Sequence, residues 1–270
     1  MVNAIGSNAL LEVNDLHQVY GSHNVIDGLT FSVTAGEFVS IVGPSGSGKT
    51  TLLRIMSGLQ GSTGGTVSLS GEVVQDVPDS LALVFQDYSR SLFPWLTVGG
   101  NVDLPLQRQG LSRADRRALI DESLESVGLA GTADKYPWQL SGGMQQRAAI
   151  ARALAYKPKV LLMDEPFASV DAQTRMELED LVLRVWERYR MTILFVTHDI
   201  DESVYLSDRV LVLSISPAAV MEDIPISLPR PRDQIETKAT SGFVGPRGRV
   251  ASLIRASAKG AQLPVVGRNL

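Results

Sequence analysis

The stretch GPSGSGKT, Gly43 to Thr50, constrains what this chain can fold into more than any other. It fits the pattern G-x-x-x-x-G-K-S/T and stands between a strand-like and a helix-like run. The run before it, EFVSIV, is apolar on both faces, as expected of a strand buried in a parallel sheet. The run after it, KTTLLRIMSGL, places Leu52, Leu53, Ile55 and Met56 at helical spacing and stops at Gly58. Glycines in such a loop let successive backbone N–H groups curl around a phosphate, and the helix N-terminus adds positive potential. Lys49 then reaches the β- and γ-phosphates, and the Thr50 hydroxyl completes a Mg²⁺ shell. The candidate phosphate-binding set is Gly43, Pro44, Ser45, Gly46, Ser47, Gly48, Lys49, Thr50 and Thr51.

The rest of the chain fits an α/β fold. LLEVNDL, LTFSVTA and GTVSLS are β-rich runs bounded by Gly, Asn or Asp. VLLMD, TILFVTH and RVLVLS are further buried strands, and a helix is predicted over Ala172 to Tyr189, with Leu178, Leu181, Val182, Val185 and Tyr189 on one face. Such alternation implies right-handed crossovers and a covered sheet. Between about Asp87 and Tyr156 β-type runs almost vanish: Ser112-x-x-Asp115 resembles a capping box, Ile120, Leu124 and Val127 keep helical spacing, and Gly128 supplies a stop.

Two further stretches carry chemistry. VLLMDEP ends an apolar strand with Asp164, whose carboxylate would emerge at the sheet edge where ligands of open α/β sheets bind. Asp164 is the candidate Mg²⁺ ligand, and Glu165 the candidate base for an attacking water. The bland alternative is a pair of helix-capping surface charges. LSGGMQQR, Leu140 to Arg147, opens a helix with Ser141, Gly142 and Gly143 and resembles a second anion site. Alone it reads equally well as a flexible helix start.

Composition removes several classes. There is no cysteine, which excludes disulfides, thiol nucleophiles and cysteine metal sites. His17, His23 and His198 are scattered, which argues against a histidine metal cluster. The net charge of −4 gives no support to non-specific nucleic-acid binding. MVNAIGSNAL does not read as a signal peptide, and the apolar runs fall short of the ~18 residues needed to cross a bilayer.

The order GPSGSGKT, Gln86 in LVFQD, LSGGMQQR, VLLMDEP, SVDA and VTHD resembles the ATP-binding subunit of ABC transporters over about residues 10–226. The resemblance implies a P-loop NTPase core with a mixed, largely parallel sheet, an N-terminal antiparallel β part and an inserted helical subdomain. The expected division is 1–86 with 157–226 for the core, 87–156 for the helical subdomain and 227–270 for a C-terminal extension. It also implies ATP hydrolysis with Mg²⁺ and gives each motif a role. Tyr20 would stack on adenine; Gln86 would touch Mg²⁺ and the water; Asp171 would lie in a loop crossing a dimer interface; His198 would contact the γ-phosphate. Ser141, Gly142 and Gly143 would bind the γ-phosphate of ATP held by a second copy, in a head-to-tail dimer. Taken alone, Tyr20 is equally a strand-end aromatic and His198 equally a helix cap. In SVDA a valine stands where the family commonly has leucine before the aspartate, which implies a packing adjustment only.

FQDYSRSLFPWLTVGGNV, YPWQLSGGMQQR and ISLPRPRD further resemble the import ATPases for nitrate, aliphatic sulfonates and taurine. That implies a peripheral protein on the cytoplasmic side of the inner membrane. It would drive separate permease subunits through a surface around Tyr88 to Trp95, and a solute-binding protein would act indirectly. The alternatives are an importer ATPase for another small solute, or a non-transport ATPase of this type in DNA repair or on ribosomes. No coiled-coil insertion and no second cassette support the last of these. The tail after about Ser227, proline-rich and then basic without acids beyond Glu236, reads as a solvated, partly ordered extension or as a weak contact for anionic lipid headgroups.

Overall fold

A computed structural model describes residues 9–86, 91–215 and 217–258. In chain order these form β1 (Ala9–Tyr20), β2 (His23–Thr34), β3 (Phe38–Val42), α1 (Lys49–Met56), β4 (Gly64–Leu69), β5 (Glu72–Val73) and β6 (Leu81–Val84). They continue with α2 (Val98–Asp103), α3 (Arg113–Ser126), α4 (Gly142–Ala155), β7 (Val160–Asp164), α5 (Ala172–Tyr189) and β8 (Thr192–Thr197). The last elements are α6 (Ile200–Leu206), β9 (Arg209–Leu213), β10 (Val220–Pro225) and α7 (Ser241–Ala258). Two compact units part at Pro78/Asp79 and at Arg190/Met191. The helical stretch expected at 87–156 therefore belongs to a unit that also takes β6, β7 and α5.

The first unit holds both kinds of sheet. β1 pairs antiparallel with β2 and β4, and β4 with β5. Along β1 the buried positions run Leu11, Val13, then Leu16 and Gln18, a step of three where alternation demands two. Asp15, at φ 46° in the left-handed region, is the extra residue of the resulting bulge, and it keeps the apolar face inward. β3 lies between β8 and β9, parallel to both, with β10 antiparallel on β9. Every residue of β3 and β8 is buried, which explains their unbroken apolar sequences.

Over its described residues the C-terminal segment is more ordered than the solvated, partly ordered extension expected. α7 buries Phe243, Val250, Leu253 and Ser257, and Ser257 Oγ accepts from the Ile215 N–H at 2.9 Å. Two of its basic residues are paired, Arg247 with Asp201 and Arg249 with Glu222. Ahead of it, Arg232 donates to the carbonyls of Tyr205 and Ser207, at the C-terminal end of α6. Gly245, Pro246 and Gly248 lower the local helix propensity, so packing rather than propensity makes this helix.

In the second unit β6 and β7 pair in parallel, Val84 opposite Met163. Each of the four helices named in this unit begins at a side-chain cap: Thr97 accepts from Gly100 N–H, Ser112 from Asp115, Ser141 from Met144 and Asp171 from Thr174. Ile120, Leu124 and Val127 are buried as their spacing predicted, and α5 has the bounds predicted for it. Asn101, fully buried, pins the loop before α2: its Nδ2 donates to the carbonyls of Phe93, Leu96 and Thr97, and its Oδ1 accepts from Phe93 N–H at 2.7 Å. Trp95 is thereby held 69 % exposed on an ordered loop.

Candidate active site

In the first unit the glycine loop leaves the end of β3 and closes on α1 through Gly48, at φ 77°. A Cβ at Gly43 would stand 2.7 Å from Ser47 Oγ and 3.2 Å from the Leu213 carbonyl, so only glycine fits the start of the cradle. A Cβ at Gly46 would meet nothing within 4 Å, which leaves the loop's outer side open. Lys49 is buried, and its Nζ donates to the carbonyls of Gly43 and Pro44 at 2.9 and 3.0 Å. The loop thus carries its own cation on its inner face, with Ser47 buried beneath it and Thr50 exposed. An open, glycine-walled cradle with an internal ammonium fits a polyphosphate.

His198 emerges beside this loop. β3 and β8 are parallel with Val42 opposite Thr197, so Gly43 and His198 leave adjacent strands at the same end. The histidine is exposed, and both flanking residues are fixed. Thr197 Oγ1 donates to Glu202 Oε2 at 2.6 Å and accepts from Asp199 N–H; Asp199 Oδ1 accepts from the N–H groups of Asp201 and Glu202. The cap of α6 is therefore Asp199, not His198. Tyr20 ends β1, 48 % exposed, with its hydroxyl accepting from Gln60 Nε2 at 2.5 Å.

In the second unit, Gln86 and Glu165 each lie two residues beyond the paired Val84 and Met163, at the same end of β6 and β7. Gln86 Nε2 donates to Glu165 Oε2 at 3.3 Å. Glu165 has φ 42°, a left-handed conformation uncommon outside glycine, whereas Asp164 ends β7 buried at 8 % exposure. The two adjacent carboxylates thereby differ in burial and in backbone conformation.

The same unit brings Ser141–Gly143 and Asp171 together through a residue that the sequence reading passed over. Asp171 caps α5: Oδ1 accepts from the Thr174 N–H at 3.0 Å, and Oδ2 from the Thr174 hydroxyl at 2.7 Å. The Thr174 methyl then faces Gly143, where a Cβ would approach it to 2.6 Å. These two bonds, the backbone one foremost, hold the Asp171 carboxyl below the usual aspartate range. Asp-x-x-Thr before a helical run is a capping signal, and it could have flagged Thr174. No local pattern marks Gln60. Tyr88 lies outside the described residues.

The comparisons with known proteins place the chain in a family. The family model described as ABC transporter matches residues 26–168. A nitrate import ATP-binding protein of Synechocystis is 44% identical over 81% of this chain and 83% of its own length. An aliphatic sulfonates import ATP-binding protein of Pseudomonas syringae is 45% identical over 84% of this chain and 90% of its own. A solved dimeric ATP-binding cassette, in a post-hydrolysis state with ADP and phosphate, superimposes with a TM-score of 0.69 at 33% identity, covering 80% of this chain and 98% of that one. The chain belongs to the ABC transporter family, as one of its ATP-hydrolysing, ATP-binding subunits.

Proposed function

We propose that this chain energises import of a small solute of the nitrate, aliphatic sulfonate or taurine kind through a separate membrane permease. The observation that carries this reading is the identity of 44% and 45% to nitrate and sulfonate import ATP-binding proteins, extending over more than four-fifths of the chain. The pinned loop bearing Phe93 and Trp95 supports it as well, since an exposed, immobilised tryptophan suits a contact with permease helices.

The residues divide the work of hydrolysis. The backbone N–H groups of the Gly43–Thr51 loop, all but that of Pro44, which has none, hold the phosphates with Lys49, and Tyr20 carries the adenine. Thr50, Gln86 and Asp164 are the oxygen donors that would hold Mg²⁺, which supplies charge neutralisation on the phosphate oxygens when bound. Glu165 accepts the proton of the attacking water, and His198 fixes the γ-phosphate and orients that water. Ser141, Gly142 and Gly143 close on ATP held by a second copy, so two sites form about a two-fold axis, with Asp171 at the interface. Because the chemistry makes and breaks no bond to the protein, positioning supplies the rate.

The site of action is the cytoplasmic face of the inner membrane, with selectivity residing in the permease and a solute-binding protein. Among the described residues no helix is long and apolar enough to cross a membrane. Uptake of nitrate, taurine and alkanesulfonates by a strain lacking this chain tests the reading. Loss of one of the three, restored by the intact chain, is expected, and unchanged uptake of all three would sink it.

A further inference from the structure

The bond between Gln60 and Tyr20 joins two parts of the first unit that the family motifs do not connect. Tyr20 closes β1 and pairs with His23 across a tight turn in which Gly21 takes φ 59°. Three residues into β2, Val25 abuts the phosphate cradle, since a Cβ at Gly48 would lie 3.0 Å from its Cγ1. The turn end of this hairpin therefore rests on the glycine loop, and the half-exposed Tyr20 stands at that same end.

Gln60 follows the C-terminal end of α1, the helix that begins at the cradle. Its backbone is fixed: the N–H groups of Leu59 and Gln60 both donate to the Arg54 carbonyl, at 2.9 and 3.2 Å. The chain beyond is stitched to β1. Thr63 donates to the His17 carbonyl from both its N–H and its hydroxyl, each at 3.0 Å, and the same hydroxyl accepts from Val19 N–H at 3.2 Å. Gln60 Nε2 completes this seam by holding the Tyr20 hydroxyl.

A tyrosine at the tip of a hairpin would otherwise be free to turn, and immobilising such a side chain on binding costs conformational entropy. Held at its hydroxyl, the half-exposed ring is fixed in direction, because the bond anchors its far end against turning about χ1. We propose that Gln60 is a positioning residue for the nucleobase: it pre-orients Tyr20, so that α1 sets the phosphate cradle at one end and the base platform at the other. This inference rests on the stacking role given to Tyr20 above.

The experiment compares Gln60→Ala, Tyr20→Phe, Tyr20→Ala and the double variant Gln60→Ala/Tyr20→Phe in the full chain. The probes are ATP and inorganic tripolyphosphate, which has no base. Gln60→Ala and Tyr20→Phe are each expected to weaken ATP binding about three- to tenfold, the worth of one hydrogen bond. KM should rise far more than kcat falls, the double variant should be no worse than either single one, and tripolyphosphate binding should stay as in the parent. If Tyr20→Ala weakens ATP binding and Gln60→Ala does not, the positioning role is wrong and the stacking role stands. If Tyr20→Ala leaves ATP binding intact, the stacking role fails and takes this inference with it. Equal weakening toward ATP and tripolyphosphate in Gln60→Ala would place the damage in α1 and overturn the inference too.

Discussion

Gln86 and Glu165 meet through a hydrogen bond, 3.3 Å from Nε2 to Oε2, at the ends of paired parallel strands. Glu165 reaches it from a left-handed backbone that costs about 1–3 kcal/mol, a strain of the kind found at active sites. Glu165→Gln keeps the shape and removes the proposed base. Phosphate release is expected to fall about 10²- to 10⁴-fold, with ATP binding preserved and an ATP-bound dimer accumulating on size-exclusion chromatography. Turnover near that of the parent would show that another group activates the water.

Gly143 and Thr174 make a second prediction. Alanine at 143 brings a methyl to 2.6 Å from Thr174 Cγ2, and threonine on a helix cannot swing that methyl away cheaply. Overpacking costs about 1–3 kcal/mol and alanine's helix propensity returns about 1, so Gly143→Ala is expected to lose on the order of 1 kcal/mol in urea unfolding. Thr174→Ser removes the methyl and keeps the hydroxyl that holds Asp171, so Gly143→Ala/Thr174→Ser should regain the loss. Failure of that rescue would mean that the helix start, rather than the threonine, resents the side chain.

Ser141 separates the two proposed anion sites. Its hydroxyl caps α4 and is exposed, whereas Lys49 is buried in its own loop. Ser141→Ala should leave ATP binding to the isolated chain within about twofold, because one cap costs about 1 kcal/mol and that cap is remote from Lys49 in sequence. ATP hydrolysis should drop at least about tenfold, since this cap is read as serving the second copy's nucleotide. Equilibrium binding beside steady-state hydrolysis checks both, and lost binding would contradict the reading.

How much of this could be read in advance depended on whether the cause is local. Gly43–Thr50 was legible because phosphate geometry dictates residue type within one turn of chain. The bounds of α5 were legible because Asp171 caps it and its apolar face keeps the period from Leu178 to Val185. Gln60 was not, because its partner is 40 residues away and its own surroundings carry no pattern. Nor was α7, where Gly245, Pro246 and Gly248 argue against a helix and the contacts of Phe243, Val250 and Leu253 outweigh them.

That packing is itself testable. Phe243 is 2 % exposed, and Phe243→Ala should cost about 3 kcal/mol of stability in denaturant unfolding, near the low end for a buried aromatic. A solvated tail would show a change under about 0.5 kcal/mol. Arg232→Met probes the approach to the same helix: it leaves the Tyr205 and Ser207 carbonyls without that donor, and a loss of about 1–3 kcal/mol is expected.

Asp171 links stability to pH. Its carboxylate accepts the Thr174 N–H and hydroxyl, so folding lowers its pKa. A lowered folded pKa means the unfolded chain binds the proton more readily. The contribution is therefore present above the unfolded aspartate range, about 3.9, and drains away as pH falls through the folded value. Asp171→Asn keeps an oxygen for the cap but cannot titrate. Urea unfolding between about pH 3 and pH 7 should show the parent losing stability faster than Asp171→Asn on the acid side, with the two differing least in slope near neutrality. Parallel curves throughout would mean that Thr174 does not discriminate between the charged and neutral carboxyl.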